Sequence, residues 1–192
     1  DGIGYIELAT FNELATEKLR AALKDLLKQK PKGIIFDLRG NGGGYLVTAV
    51  EVTSEFLKDG VVLYEEYGDG TRDSYPVKKG GLATDIPLVV LIDKGSASAS
   101  EITAGALQDY GRAKLVGVTS YGKGSVQNWI ALKSEEGGVR ITIARWLTPN
   151  GHQIDGIGLT PDLVVEYTQE DHDAGRDPQL EAAVKLLLNG LP

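Results

Sequence analysis

The chain has 192 residues, of which 42% are hydrophobic, and a formal net charge of −7. This size and composition suit a single globular domain, and the acidic balance without a cluster of Lys and Arg argues against a nucleic-acid surface. The sequence has no cysteine and no apolar run of about 20 residues, which excludes a disulfide framework, a thiolate nucleophile and a membrane span within it.

The first half of the chain alternates predicted strands with predicted helices. Residues 16–29 place leucines on one helical face, and Pro31 ends that helix. Residues 47–60 form a second amphipathic helix, which Gly60 closes. The predicted strands of this half are residues 2–11, 33–39, 61–67 and 72–78, the last two forming a hairpin around residues 68–70.

The second half continues the same alternation. A buried strand at residues 87–93 runs through a serine-rich turn into a helix at 101–110. The final helix covers residues 177–190, with Asp177 as its cap and Pro178 in its first turn. The other predicted strands are residues 114–120, 125–133, 139–148 and 159–167. Strands interleaved with helices throughout predict an α/β class and one domain over residues 1–192.

The serine-rich turn KGSASASE is the first candidate for chemistry. Ser98 and Glu101 fit the capping box S-x-x-E, so the turn can be read simply as a helix cap. It can also be read as a nucleophile turn, because a strand that passes directly into a helix exposes a hydroxyl beside free N–H groups. The local pattern does not choose among Ser96, Ser98 and Ser100.

Two glycine-rich stretches invite nucleotide-binding interpretations. The run Gly42-Gly43-Gly44 lacks the third glycine of a dinucleotide fingerprint, and it fits an oxyanion-binding loop or a simple turn better. Residues 117–123 match G-x-x-x-x-G-K, but Gly124 stands where a P-loop needs Ser or Thr, and a strand rather than a helix follows. By default, Lys123 would be a solvated loop charge.

The histidines do not form an obvious catalytic or metal site. His152 lies in the turn TPNGHQ and His172 in the acidic run QEDHD, and neither has metal-ligand spacing to a partner. We expect both to be turn or surface residues. If a serine is activated here, the base is another kind of side chain.

Taken in order, the motifs resemble the carboxyl-terminal processing proteases, also called tail-specific proteases, which are serine peptidases with a Ser/Lys dyad. The matching stretches are GIIFDLRGNGGGYL, PLVVLIDKGSASASEITAGALQDYGRAKLVG, SYGKGSVQ, ARWLTPNG and GIGLTPDLVV, and they cover most of residues 2–167. Each stretch is a weak signal alone, whereas the ordered set is specific. The resemblance implies a ClpP/crotonase-like mixed-sheet core with flanking helices.

The resemblance also implies a role for each site residue. Ser98 would be the nucleophile, Lys123 its general base, and Gln127 the residue that orients the lysine. The backbone N–H groups of Gly44 and Ala99 would form the oxyanion hole. No metal or cofactor is needed for this chemistry.

A lysine base must be uncharged when it accepts the proton. We expect burial to supply this, because Gly122 and Gly124 let the loop pack closely beside largely apolar neighbours. Gln127 can hold the amine without adding a negative charge. One difference from many relatives is Gly42, which stands where they have a proline; it keeps the loop amides but is less rigid.

The resemblance further implies partners and a setting. The substrate would be a polypeptide with an accessible C-terminus, laid beside a strand and cleaved near that end. Relatives carry a PDZ domain ahead of the strand at residues 2–11. Because the chain starts at that strand and contains no methionine, we expect it to be a catalytic core cut from a longer protein. An extracytoplasmic location, such as a periplasm, cell surface or thylakoid lumen, and an oligomeric state are compatible with the family.

Two other functions stay open from the sequence. The first is a non-catalytic module that binds a hydrophobic ligand or a peptide on the same fold, although retention of Ser98, Lys123 and Gln127 argues against it. The second is a P-loop-like nucleotide binder, which Gly124 makes a poor fit.

Overall fold

The computed structural model of the chain describes residues 2–132 and 137–190. Helices and strands follow one another in this order: β1 Ile3–Glu7, α1 Ala15–Lys28, β2 Gly33–Asp37, α2 Leu46–Ser54, β3 Val61–Tyr67, β4 Arg72–Pro76, β5 Leu88–Ile92, α3 Ala99–Asp109, β6 Lys114–Gly117, β7 Ser125–Ala131, β8 Gly138–Leu147, β9 Leu163–Val164, α4 Gln169–Asp173 and α5 Pro178–Asn189.

The central sheet is parallel, in the order β1-β2-β5-β6-β9, and it is covered on both faces. Ile34 and Phe36 of β2 face a large core that they share with α1, α2 and α3. Ile35, between them, faces a smaller core built with Ala183 and Leu187 of α5. Burial on both faces explains why β2 and β5 are continuous apolar runs. The predicted α/β class is therefore confirmed.

The second sheet is antiparallel, in the order β4-β3-β8-β7. The predicted hairpin around residues 68–70 joins β3 to β4. The outer parts of β7 and β8 form a ribbon whose side chains are exposed on both faces, and β7 has one free edge. Parallel and antiparallel sheets together confirm the mixed-sheet core with flanking helices.

The second helix is shorter than the sequence predicts. We expected it to continue to Gly60, but α2 ends at Ser54. The hydroxyls of Thr53 and Ser54 donate to the carbonyls of Ala49 and Val50, one turn back. Such bonds compete with the helical ladder and favour an end to the helix.

The C-terminal region departs from the sequence prediction in two ways. The predicted strand at 159–167 is reduced to the two residues of β9 at the sheet edge. The acidic run QEDHD, which we did not predict as a helix, forms α4, because Thr168 accepts a hydrogen bond from the Asp171 N–H and caps it. The predicted Asp177 cap of α5 is confirmed by its bond with the Leu180 N–H at 2.9 Å.

Two smaller points complete the comparison. Lys133, the predicted last residue of the strand at 125–133, lies outside the described residues. Within the described residues, no helix combines the length and the apolar character that crossing a bilayer requires.

Candidate active site

The turn between β5 and α3 separates the three serines that the sequence could not. Ser96 Oγ is fully buried and donates to the Leu38 carbonyl at 2.8 Å. Ser100 Oγ is also fully buried and donates to the Asn41 carbonyl at 2.8 Å. Both hydroxyls therefore hold the turn against the glycine loop. Ser98 is half-buried and is the member of the triplet that lines the adjacent cleft.

Ser98 has a strained backbone conformation, with φ of 56° and ψ of −115°. A positive φ in a residue other than glycine costs of the order of 1–3 kcal/mol, and it persists where the surroundings enforce it. Here the N–H of Ser98 donates to Glu101 Oε2 at 2.9 Å, and the neighbouring Ala97 N–H donates to the Asn41 carbonyl at 3.0 Å. Ser98 and Glu101 are thus placed as in a capping box, in which the Glu101 carboxylate accepts from the Ser98 N–H.

The glycine loop packs directly against this turn. Gly43 has φ of +101°, and a side chain there would meet the Ala97 carbonyl and Ser98 Cβ at 2.7 and 2.8 Å. A Cβ on Gly44, which has φ of +152°, would come still closer to the backbone carbonyl of Phe11. Glycine is required at both positions because the approach of the two backbones leaves no room for Cβ.

Two backbone N–H groups remain for a ligand at this point. The Gly43 N–H donates to Asn41 Oδ1 at 2.9 Å. The N–H groups of Gly44 and Ala99 have no hydrogen-bond partner in the described part of the chain. Ala99 is the first residue of α3, so its N–H lies at the positive end of that helix dipole. This pair can therefore donate hydrogen bonds to a developing oxyanion, which is the role that the family resemblance implies for Gly44 and Ala99.

The loop that carries Lys123 is held tightly by its glycines. A side chain on Gly122 would lie 2.9 Å from the Gly158 N, and one on Gly124 would lie 2.5 Å from the Asp155 N. The Gly124 N–H donates to Asp155 Oδ1 at 3.0 Å. The close packing that we expected around Lys123 is present for the backbone of this loop.

Burial of the Lys123 side chain is not present, and that expectation is wrong for this chain. Lys123 is exposed, as is Gln127 on the outer part of β7. The two glycines bury the loop backbone against residues 154–158, whereas the side chain extends into the open cleft. No hydrogen bond joins Lys123 Nζ to Ser98 Oγ or to Gln127 within the described residues.

The Ser98 cleft, with a volume of about 370 Å³, brings the predicted residues together. It lies between α3 and the β7–β8 ribbon. Its walls are formed by residues Gly44, Leu46, Ser98, Ala99, Ile102, Lys123, Ser125, Val126, Gln127, Trp129, Arg140 and Trp146. All five predicted site residues are in this set, although they come from three separate stretches of the chain, at residues 44, 98–99 and 123–127.

Glu101 is a residue whose wider role we did not predict. Its side chain is fully buried. Besides the Ser98 N–H, its carboxylate accepts hydrogen bonds from Ser120 Oγ at 2.5 Å, the Gly122 N–H at 2.6 Å and the Lys123 N–H at 2.9 Å. Glu101 thus ties the serine turn to the lysine loop. The sequence signal was the capping-box spacing, which pointed to Ser98 alone.

An ion-pair cluster fixes the segment between β2 and the glycine loop. Arg39 pairs with Asp37 at 2.6 Å and with Asp177 at 2.9 Å. Burial alone would lower the pKa of Arg39, but its hydrogen bonds to the two carboxylates raise it above the usual value. Burial and a hydrogen bond to Asp37 raise the pKa of Tyr5 to about 12. Burial raises the pKa of Asp177, but Arg39 and the Leu180 N–H outweigh it and hold that pKa low.

The histidines lie outside the cleft, as predicted. His152 and His172 are both exposed and lie beside Asp109 and Asp173, respectively. The described residues contain no group of His, Cys, Asp and Glu side chains suited to holding a metal ion. Lys123 precedes strand β7 rather than a helix, which removes the P-loop interpretation.

Comparison with known proteins identifies the family. Residues 2–165 match the model described as peptidase family S41. The chain belongs to peptidase family S41.

Its S41 relatives include proteins named for C-terminal processing. The chain is 45% identical over 185 residues to the carboxy-terminal-processing protease of Bartonella bacilliformis, covering 93% of the chain and 42% of that protein. It is 42% identical over 161 residues to carboxyl-terminal-processing peptidase 2, chloroplastic, of Arabidopsis thaliana, covering 83% of the chain and 31% of that protein. The chain therefore spans less than half the length of these curated relatives.

The S41 fold is also recognisable among solved structures. The photosystem II D1 C-terminal processing protease superposes with a TM-score of 0.82 at 38% identity, covering 85% of this chain and 42% of that one. This match and the family assignment confirm the resemblance drawn from the ordered motifs.

Proposed function

We propose that the protein containing this chain is a serine endopeptidase that cleaves polypeptides near their C-termini. Ser98 acts as the nucleophile and Lys123 as the general base. The observation that carries this proposal is the single cleft that joins Ser98, Lys123 and two N–H groups without partners in the described chain. Membership of peptidase family S41 supports the reaction class.

The reaction would proceed through an acyl-enzyme. Ser98 Oγ attacks the carbonyl carbon of the scissile bond while the uncharged Lys123 amine takes its proton. The N–H groups of Gly44 and Ala99 stabilise the oxyanion of the tetrahedral intermediate. The lysine ammonium then donates its proton to the leaving amine, and water hydrolyses the ester that links the acyl group to Ser98. Gln127 orients the lysine amine.

Lys123 must lose its charge before it can take the proton of Ser98, and the open cleft does not exclude the water that stabilises the ammonium form. The ordinary pKa of lysine is about 10.4, so an amine in water is mostly an ammonium at neutral pH. We infer that the substrate completes the site. β7 has a free edge, and an extended polypeptide paired along it would cover Lys123 and remove water from the amine.

The wider setting of the enzyme is part of the same proposal. The 192 residues form its catalytic core, and the length that the relatives have beyond this core accommodates a peptide-binding module such as a PDZ domain. We propose an extracytoplasmic location, with which the chloroplastic name of the Arabidopsis relative is compatible.

Substitution of the proposed dyad in the full-length protein tests the function. We expect Ser98→Ala and Lys123→Ala each to lower the turnover of an unfolded protein substrate by about a thousand-fold or more, because nucleophile and base act as a unit. Lys94→Ala is the matched control, since Lys94 is an exposed lysine of the same serine turn that does not line the cleft. Undiminished turnover in either dyad variant would contradict the proposal.

A second candidate is a binding module that does not catalyse. The exposed Lys123 amine and the missing bond between Lys123 and Ser98 favour it. Labelling of the full-length protein with a fluorophosphonate distinguishes the two functions. An enzyme incorporates the probe at Ser98 and loses this labelling in Lys123→Ala, whereas a pure binder is not labelled in either form.

A further inference from the structure

The Ser98 cleft contains one cation that the proposed mechanism does not use. Arg140 lies on β8 directly opposite Trp129 of β7, and both side chains line the cleft. The Trp129 ring lies over Gly138, where an added Cβ would clash with Trp129 Cε2. The indole is therefore held over the glycine, on the same face of the ribbon as Arg140.

The described lining of the cleft is positive although the chain is acidic overall. Among residues 2–132 and 137–190, Arg140 and Lys123 are the ionisable residues that line it, and no carboxylate does. The chain as a whole carries a net charge of −7. Because Lys123 must be uncharged to act as the base, Arg140 is the described lining residue that stays charged when the cleft is occupied.

Arg140 also lacks a bonding partner within residues 2–132 and 137–190. Apart from Arg145, the other arginines of the chain donate to carboxylates or carbonyls: Arg20, Arg39, Arg72, Arg112 and Arg176. An arginine fork that is unpaired and faces a ligand site matches a carboxylate, which it can bind through two parallel hydrogen bonds.

We propose that Arg140 binds a carboxylate of the substrate and so contributes to the choice of cleavage site. The proposal rests on the proposed peptidase function. Arg140 is level with Trp129, two residues beyond Gln127 on β7, which is about 7 Å along a strand. An extended substrate advances about 3.4 Å per residue, so the bound carboxylate lies about two residues along the substrate from the part that pairs beside Gln127. This carboxylate is either a chain terminus, original or created by cleavage, or the side chain of an Asp or Glu of the substrate.

The test is a double-mutant cycle in the full-length protein. One set of peptides compares a free C-terminal carboxylate with its amide, and another moves a Glu or Gln through the positions that flank the cleaved bond. For one matched pair we expect the wild type to prefer the carboxylate about tenfold or more in kcat/KM, mostly through KM. Arg140→Gln should abolish this preference and Arg140→Lys should keep part of it. Any contribution from another module cancels, because it is common to both enzymes.

Arg145→Gln is the control, since Arg145 is on the same strand but does not line the cleft. The peptide pair that responds identifies the source as the chain end or a side chain. An equal carboxylate preference in wild type and Arg140→Gln, in every pair, would overturn the proposal. If the wild type cleaves no peptide, the peptidase function fails instead. Calorimetric binding of the same peptides to Ser98→Ala, with and without Arg140→Gln, then decides the role of Arg140.

Discussion

Individual residues of the site acquire their roles through contacts that span the sequence. Ser96, Ser98 and Ser100 look alike in the turn, and family resemblance rather than local pattern selected the middle one. The three serines differ because the hydroxyls of Ser96 and Ser100 donate hydrogen bonds to backbone carbonyls that lie 58 and 59 positions away in the sequence. The exposure of Lys123 could not be predicted from the sequence either, because it depends on the tertiary arrangement of the β7–β8 ribbon and α3.

Gly42 and Gly43 allow a test of whether the close approach of the glycine loop to the serine turn requires glycine. Gly43→Ala should destabilise the full-length protein by about 2–3 kcal/mol and greatly reduce activity, because the methyl group would meet the backbone around Ser98 at a positive φ. Gly42→Ala should change both little, since nothing lies within 4 Å of its added Cβ. Urea denaturation and peptide turnover measure the two effects. Similar losses in both variants would contradict this account of the loop.

The sequence predicted the type of most helices and strands correctly, but their boundaries less well. Apolar periodicity identified α1, α3 and α5 and the buried strands, because those patterns are set by a face that must be covered. The early end of α2 and the short β9 depend on neighbours that no local pattern records. Helix α4 could have been predicted, because its capping residues Thr168 and Asp171 have the T-x-x-D spacing in the sequence.

The attachment of α5 to the sheet should depend on pH. Asp177→Asn keeps the helix cap but loses the charge that faces Arg39, and we expect it to cost about 1–2 kcal/mol of stability at neutral pH. Because the folded state lowers the pKa of Asp177, the stabilisation is complete above the ordinary value of about 3.9 and is lost progressively as the pH falls from there through the lower pKa of the folded state. Denaturation from pH 7 to pH 3 measures it. Asp173→Asn, at an exposed position, is the control, and a pH-independent difference would refute the assignment.

The candidate site lies where the two sheets of the protein meet. The parallel sheet carries the serine turn and the glycine loop, and Lys123 lies just before β7 of the antiparallel sheet. The strand order of each sheet was not predictable, because parallel neighbours such as β2 and β5 are far apart in the chain. The five residues predicted from the ordered family motifs nevertheless line one cleft. Glu101 is the buried link between the two parts.

Glu101→Gln should weaken this link in the full-length protein. Its amide nitrogen would face N–H donors, which leaves buried groups unsatisfied and costs about 2–4 kcal/mol. The lysine loop would also shift relative to Ser98, so kcat should fall about tenfold or more while the KM for peptides changes little. Glu181→Gln, which makes the same substitution at an exposed site on α5, should change neither quantity. Equal behaviour of the two variants would disprove the coupling.

The chain contains two tryptophans, and both border the cleft. Trp129 is 61% exposed whereas Trp146 is 3% exposed, so one indole emits from a wet environment and the other from a dry one. Intrinsic fluorescence of this region is therefore a label-free gauge of occupancy. A polypeptide that binds along the ribbon would shift the long-wavelength emission of the exposed Trp129 toward the blue and protect it from iodide quenching, while the emission of Trp146 would not change.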